Sequence, residues 1–171
     1  MGAVRVNGST SGYVELAAPA VAGSVVMTLP ATTGTLAVQG EAYGRSATAT
    51  VMTRQTTTSA SYVDLATVGP QVTLTTGTKA FVTFACPTGN TPAACTNRIA
   101  VAVSGATTVA ASNDYSANCD LVTNNADSMV SKSFIFTGLT PGSNIFTLKY
   151  FTTSGTAAFF NRFLTVIDLG S

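Results

Sequence analysis

Residues 71–85, QVTLTTGTKAFVTFA, set Val72 and Leu74 in strict alternation with Thr73 and Thr75. In an extended chain successive side chains point to opposite faces, so this spacing makes one face apolar and the other hydroxylated. Val and Thr also favour strands intrinsically, and the Thr-Gly-Thr interruption at 76–78 predicts a hairpin between two of them. RIAVAVSG, residues 98–105, alternates Ile99, Val101 and Val103 with alanines, which predicts a strand buried on both faces. Residues 133–169 predict three or four more strands, with turns at Thr140-Pro141-Gly142 and Ser154-Gly155. Phe134, Phe136, Leu148, Tyr150, Phe160, Leu164 and Val166 are the expected core of that segment.

Helix signals are almost absent. No window sustains apolar residues at helical spacing, and Glu, Lys and Gln are scarce. Seven or more short strands within residues 46–171 therefore predict an all-β fold, an antiparallel β-sandwich of jelly-roll type. Residues 1–45 are different. They hold strand-like runs GYVELAA and SVVMTLP, then GTLAVQGEAYG, too little to build an independent core. The expected division is an extended N-terminal arm, 1–45, that requires a partner, followed by a sandwich domain, 46–171.

Charge narrows the function. Eight basic and seven acidic residues make up 9% of the 171-residue chain, against about 25% in ordinary globular domains. A surface with so few charges is either coated with hydroxyls, as SATATVMTRQTTTSAS at 46–61 suggests, or packed against neighbouring subunits. The net charge of +1 and the lack of any Lys/Arg run argue against nucleic-acid binding. The longest apolar stretch, LAAPAVAGSVVMTLP, is broken by Pro19, Gly23 and Pro30 and predicts no membrane span. No secretory pattern opens the sequence, and Val6 occupies the place where myristoylation expects Ser or Thr, so assembly in a cytoplasm is the expectation.

The sequence has no histidine, which removes the commonest general base and any His-dependent triad or zinc site. Paired carboxylates for glycoside hydrolysis would have to come from Glu15, Glu41, Asp64, Asp114, Asp120, Asp127 and Asp168. Asp64 and Asp168 read as solvated strand edges, so the expected protein is not an enzyme and needs no cofactor. The segment 113–127, NDYSANCDLVTNNAD, is a candidate calcium loop by ligand type, but it lacks EF-hand spacing and reads rather as a polar loop of Asx turns facing a receptor or a neighbour. Cys86 and Cys95 bracket CPTGNTPAAC, and a disulfide between them would close a short loop once an oxidising medium is reached. Cys119 stands apart as a buried free cysteine. Tyr13, Tyr43, Tyr62 and Tyr115 are candidates for a sugar platform, with Tyr62 expected in a strand and Tyr115 in an exposed loop.

Residues 12–37, GYVELAAPAVAGSVVMTLPATTGTLA, resemble a cassette near the N-termini of tailed-phage virion proteins, with a Gly-aromatic start, an Ala-Pro turn, then T-L-P and G-T-L. Residues 59–85 and 134–167, including YVDLATVGPQVTLTTGTKAFV and FTGLTPGSNIFTLKY, resemble the jelly-roll-like domains of phage fibre and decoration proteins. The resemblance implies a homotrimer attached to major capsid or tail proteins, located in the virion. The arm would dock through Val14, Leu16, Val25, Val26, Leu29 and Leu36. The alternative is a tail-associated, lectin-like receptor-binding module whose loops at 86–97 and 112–128 would meet a host surface glycan.

Overall fold

The expected alternation becomes sheet along nearly the whole C-terminal part of the computed structural model, which describes residues 3–7, 13–17, 45–91, 95–123 and 127–170. The chain divides into two units, Met1–Leu36 and Ala37–Ser171. In the first, β1 (Ala3–Asn7) and β2 (Tyr13–Ala17) form an antiparallel pair in which Val4 faces Leu16 and Val6 faces Val14. The expected strands SVVMTLP and GTLAVQG lie outside the described residues.

The second unit holds β3 (Ser46–Val51), β4 (Gln55–Thr57), β5 (Gln71–Thr76), β6 (Lys79–Thr91), β7 (Cys95–Gly105), β8 (Ser116–Leu121), β9 (Asp127–Thr137), β10 (Gly142–Thr152), β11 (Thr156–Phe159) and β12 (Arg162–Gly170). They form two sheets. One runs β5-β10-β7-β8. The other runs β3-β12-β6-β11-β4, with β9 on the far side of β6. The long strand β6 pairs with β12 along its first half and with β11 along its second, so β11 and β12 act as one interrupted strand, and β3 and β4 act as another beside them. Read that way, eight strands are divided between two four-row antiparallel sheets, the chain changing sheet at every connection but the one between β7 and β8, which is the jelly-roll arrangement of two Greek keys. No helix among the described residues is long and apolar enough to cross a membrane.

The core lies between the sheets and follows the alternation. Along β5, Val72, Leu74 and Thr76 are buried while Gln71, Thr73 and Thr75 are exposed. Ile99, Val101 and Val103 of β7 are buried, but on the strand's other side Ala100 is buried while Thr96, Arg98 and Ala102 are only half-buried, so β7 is not covered on both faces as expected. Phe136, Leu148, Tyr150, Leu164 and Val166 fill the core, with Phe84, Phe146 and Phe159 beside them.

Two expectations are corrected here. Residues 71–85 are strand-turn-strand but not a hairpin: β5 pairs with β10, whereas β6 pairs with β9, β11 and β12. The Thr-Gly-Thr corner crosses from one sheet to the other and is pinned to distant chain, since the Gly77 amide donates to Asp168 Oδ1 at 2.9 Å and the Leu139 amide to the Thr78 carbonyl at 3.0 Å. The second correction is Phe160, which is only half-buried while Phe159 is fully buried. Phe159 faces Thr88 and Phe163 faces Ala85, so four residue steps on one strand match three on the other. That one-residue bulge at Phe160–Asn161 swaps the inward parity of the strand. Asn161 absorbs it with φ 45, a conformation Asn tolerates better than most residues.

Candidate assembly face

The outward side of the β6 sheet is built from every second residue of four adjacent rows, and cross-strand register shows which of them meet. Ser46, Ile167, Phe81 and Ile135 lie side by side. Next to them runs a line of hydroxyls, Thr48, Thr165, Thr83 and Ser133, joined by Oγ contacts of 2.8 Å between Thr48 and Thr165 and of 2.8 Å between Thr83 and Ser133. Thr50, Phe163, Ala85 and Ser131 form the third line, and Pro87 with Met129 continue it. Ile135 is 53% exposed, Met129 66% and Phe163 36%. None of these residues is charged. Charged residues stand at the two ends of this side, Lys79 at the start of β6 and Asp127 at the start of β9, and a stretch between them that leaves large apolar side chains in water without charge is unusual for a monomer's exterior.

The other charges in contact lie elsewhere or at the rim of this side. The outward side of the β5 sheet carries Arg98 and Lys149, the latter 2.6 Å from Asp64, and Asp120, which accepts from Thr96 Oγ1 at 2.7 Å. Arg98 lies over the Phe151 ring at 5.0 Å and donates to Asn113 Oδ1 at 3.1 Å. On β9, Lys132 points inward beside Val130 and Phe134, and its ammonium donates to the carbonyls of Ser116 at 2.7 Å and Asp114 at 3.0 Å. That contact ties the open side of β9 to β8, and an inward cation of this kind guards a sheet edge against strand addition. Arg54 sits over Phe160 at 4.7 Å and 3.7 Å from Asp127, at the far end of the neutral face.

The carboxylates named from the sequence are dispersed. Asp64 pairs with Lys149, Asp120 with Thr96, and Asp127 with Arg54. Asp168 is not a freely solvated edge residue, since its Oδ1 accepts the amides of both Gly77 and Gly170. Glu15 and Glu41 side chains lie outside the described residues. Among the described residues no three His, Cys, Asp or Glu side chains gather as a metal ion would require. Tyr115 is packed, not loop-exposed, with its ring 4.3 Å from Phe136 and 5.6 Å from Phe134. Tyr62 lies outside any strand, stacks 5.5 Å from Phe151 and donates to Asn113 Oδ1 at 2.8 Å. Tyr13 is on β2, and Tyr43 falls outside the described residues.

Cys86, Cys95 and Cys119 are free thiols. Cys86 is buried in β6 and Cys95 in β7. Burial pushes the Cys86 thiol up to about 12. The segments expected as receptor loops are largely strand, because β6 continues through Thr91, β7 begins at Cys95 and β8 occupies Ser116–Leu121. Of the expected anchoring residues, Val14 and Leu16 lie on β2, while Val25, Val26, Leu29 and Leu36 lie outside the described residues.

The sequence reading missed three buried polar residues that clasp the sandwich. Arg162 is fully buried, donating from Nη1 to the Gly69 carbonyl at 2.9 Å and from Nη2 to Gln55 Oε1 at 2.9 Å, with its guanidinium 5.3 Å from the Tyr150 ring. Asn97 donates to Thr88 Oγ1 at 2.8 Å and the Gly89 carbonyl at 3.0 Å, linking the two sheets. Asn144 donates to Thr76 Oγ1 and accepts from the Thr107 amide, both at 2.8 Å. A signal existed: each shares inward parity with apolar neighbours on its strand, as Arg162 does with Leu164 and Val166.

The fold is similar to several solved structures. Eiger TNF from S. frugiperda superposes with a TM-score of 0.54 at 10% identity, over 75% of this chain and 94% of that one. The infectious bursal disease virus structure of the Gx strain gives a TM-score of 0.57 at 14% identity, over 94% of this chain and 39% of that one. The Gt strain gives 0.54 at 14% identity, over 95% and 41%. This chain therefore spans about two fifths of the viral chains, and at these identities the likeness is one of fold. No family model and no curated protein matches the sequence.

Proposed function

We propose that this protein is a non-enzymatic virion structural component, which decorates or projects from a phage capsid as a homotrimer attached through residues 1–45. The observation that carries the reading is the uncharged middle of the β6 sheet's outward face, between Lys79 and Asp127, in a charge-poor jelly-roll domain. The same fold in a virus structure supports it, and so does the resemblance of residues 12–37 to phage N-terminal cassettes. Attachment would use apolar burial by Val14, Leu16, Val25, Val26, Leu29 and Leu36, at about 25 cal/mol per Å² of apolar area removed from water. Assembly occurs in the host cytoplasm, and the function is binding without turnover.

The test is co-sedimentation with phage particles. Chain lacking residues 1–45 is expected to remain folded and soluble and to stay in the supernatant, while the full chain pellets with the particles. Pelleting of the truncated chain would rule out attachment through the arm.

A further inference from the structure

The outward face of the β6 sheet is a specific contact surface, and we infer that its occupant is a second copy of this chain. The inference rests on the assembly reading above and names the partner of that face. Three observations carry it.

The first is the chemistry of the face. Its middle is a line of hydroxyls, Thr48, Thr165, Thr83 and Ser133, flanked by apolar lines that contain Phe81, Ile135, Ile167 and Phe163. A hydroxyl both donates and accepts, so such a line is complementary to another like it. A charged face presented to its own copy would bring like charges together unless they were arranged in opposed pairs. The middle of this face, between Lys79 and Asp127, needs no such arrangement.

The second is the contrast with the opposite side of the sandwich. Arg98, Lys149 and Asp120 stand on the β5 sheet's outward side, where each is already engaged within the chain. With only 15 charged residues in the sequence (8 Lys and Arg plus 7 Asp and Glu), the β5 sheet carries charge across its outward side, whereas on the β6 sheet Lys79 and Asp127 stand at the two ends and leave the middle without charge. That division is expected where only one of the two faces is buried in the assembly.

The third is extent. Four rows about 4.8 Å apart and seven residues of β6, 81–87, at about 3.3 Å each give a footprint of roughly 440 Å². Side-chain relief raises the accessible area above that projection, toward the approximately 800 Å² per partner of a standard stable interface. A neighbouring copy placed there would remove Ile135, Met129 and Phe163 from water together.

The experiment is to place a lysine on the face of the full chain and measure mass by light scattering after size-exclusion chromatography. Thr83→Lys and Ser133→Lys are expected to reduce the particle mass to that of one 17.3 kDa chain while leaving the circular dichroism spectrum unchanged. Thr73→Lys, on the exposed side of β5, is expected to keep the wild-type mass. Ser133 is exposed on a strand with one open side, so its variant decides the matter should Thr83→Lys fail to fold. A wild-type chain that is monomeric, or a folded Ser133→Lys protein that keeps the oligomer's mass, overturns the inference. Co-sedimentation with particles is read separately: a wild-type chain that is monomeric yet pellets would sink the self-contact alone, and an oligomer that never pellets would sink the virion reading alone.

Discussion

Arg162 offers a sharp test of what holds the sandwich together. A fully buried cation should be costly unless its donors are well used, yet its Nε has no hydrogen-bond partner. Its acceptors, moreover, do not depend on it. The Gly69 carbonyl also accepts the Tyr150 hydroxyl at 2.8 Å, and Gln55 Oε1 also accepts the Thr67 amide at 3.1 Å. Removal of the guanidinium would leave only the Thr67 carbonyl, a weak contact at 3.4 Å, with less than before. The side chain's value therefore lies mainly in filling space against Tyr150. Arg162→Ala opens a cavity and is expected to cost about 3 kcal/mol, in the range of large-to-small core substitutions. Arg162→Met keeps the stem, relieves the buried charge, and is expected to cost less than about 1 kcal/mol. In thermal melts followed by circular dichroism, at roughly 3–5 °C per kcal/mol for a domain of this size, the two variants should separate clearly. Equal losses for both would refute this reasoning and assign the stabilisation to the guanidinium's hydrogen bonds.

Two further outcomes follow from the same packing. A Cβ at Gly77 would lie 2.4 Å from the Gly170 carbonyl oxygen, backbone that cannot turn aside, whereas one at Gly138 would meet nothing within 4 Å and suffer only the strain of φ +74. Gly77→Ala is thus expected to lose more than about 2 kcal/mol in urea unfolding and Gly138→Ala about 1 kcal/mol; the reverse order would show that the corner between the sheets is not tightly packed. Alkaline pH is the other lever. An unfolded thiol releases its proton near 9.0, while desolvation holds the Cys86 proton to about 12, and burial raises the Tyr150 hydroxyl in the same direction. Above pH 9 the unfolded chain binds fewer protons than the folded one, so stability that is complete below that pH declines as it rises toward 12. The urea midpoint should be flat up to about pH 9 and fall beyond it; a midpoint that climbed there would contradict the sign.

The strands were legible because their signal is local. Val72 and Leu74, or Ile99, Val101 and Val103, announce an inward face within a few residues of chain. Phe160 shows where local reading stops. It has the parity of Leu164 and Val166, and only the extra residue in the β11–β12 run, visible through its register with β6, moves Phe159 inward in its place. The 76–78 corner shows the same limit: a turn between two strands looks alike whether the strands pair with each other or leave for opposite sheets. The neutral face was not legible either, since Thr83 meets Thr165 and Ser133 only through pairings across long stretches of sequence.

By itself, then, the sequence determined an all-β chain, poor in charge and without a histidine, because side-chain period and composition are properties of short segments and need no partner. Tertiary structure alone decided the strand order, the crossing at Gly77, the burial of Arg162, and the gathering of uncharged residues on one side. Those depend on which strand edges meet, and pairing between distant segments is set by the packing of both sheets around one core.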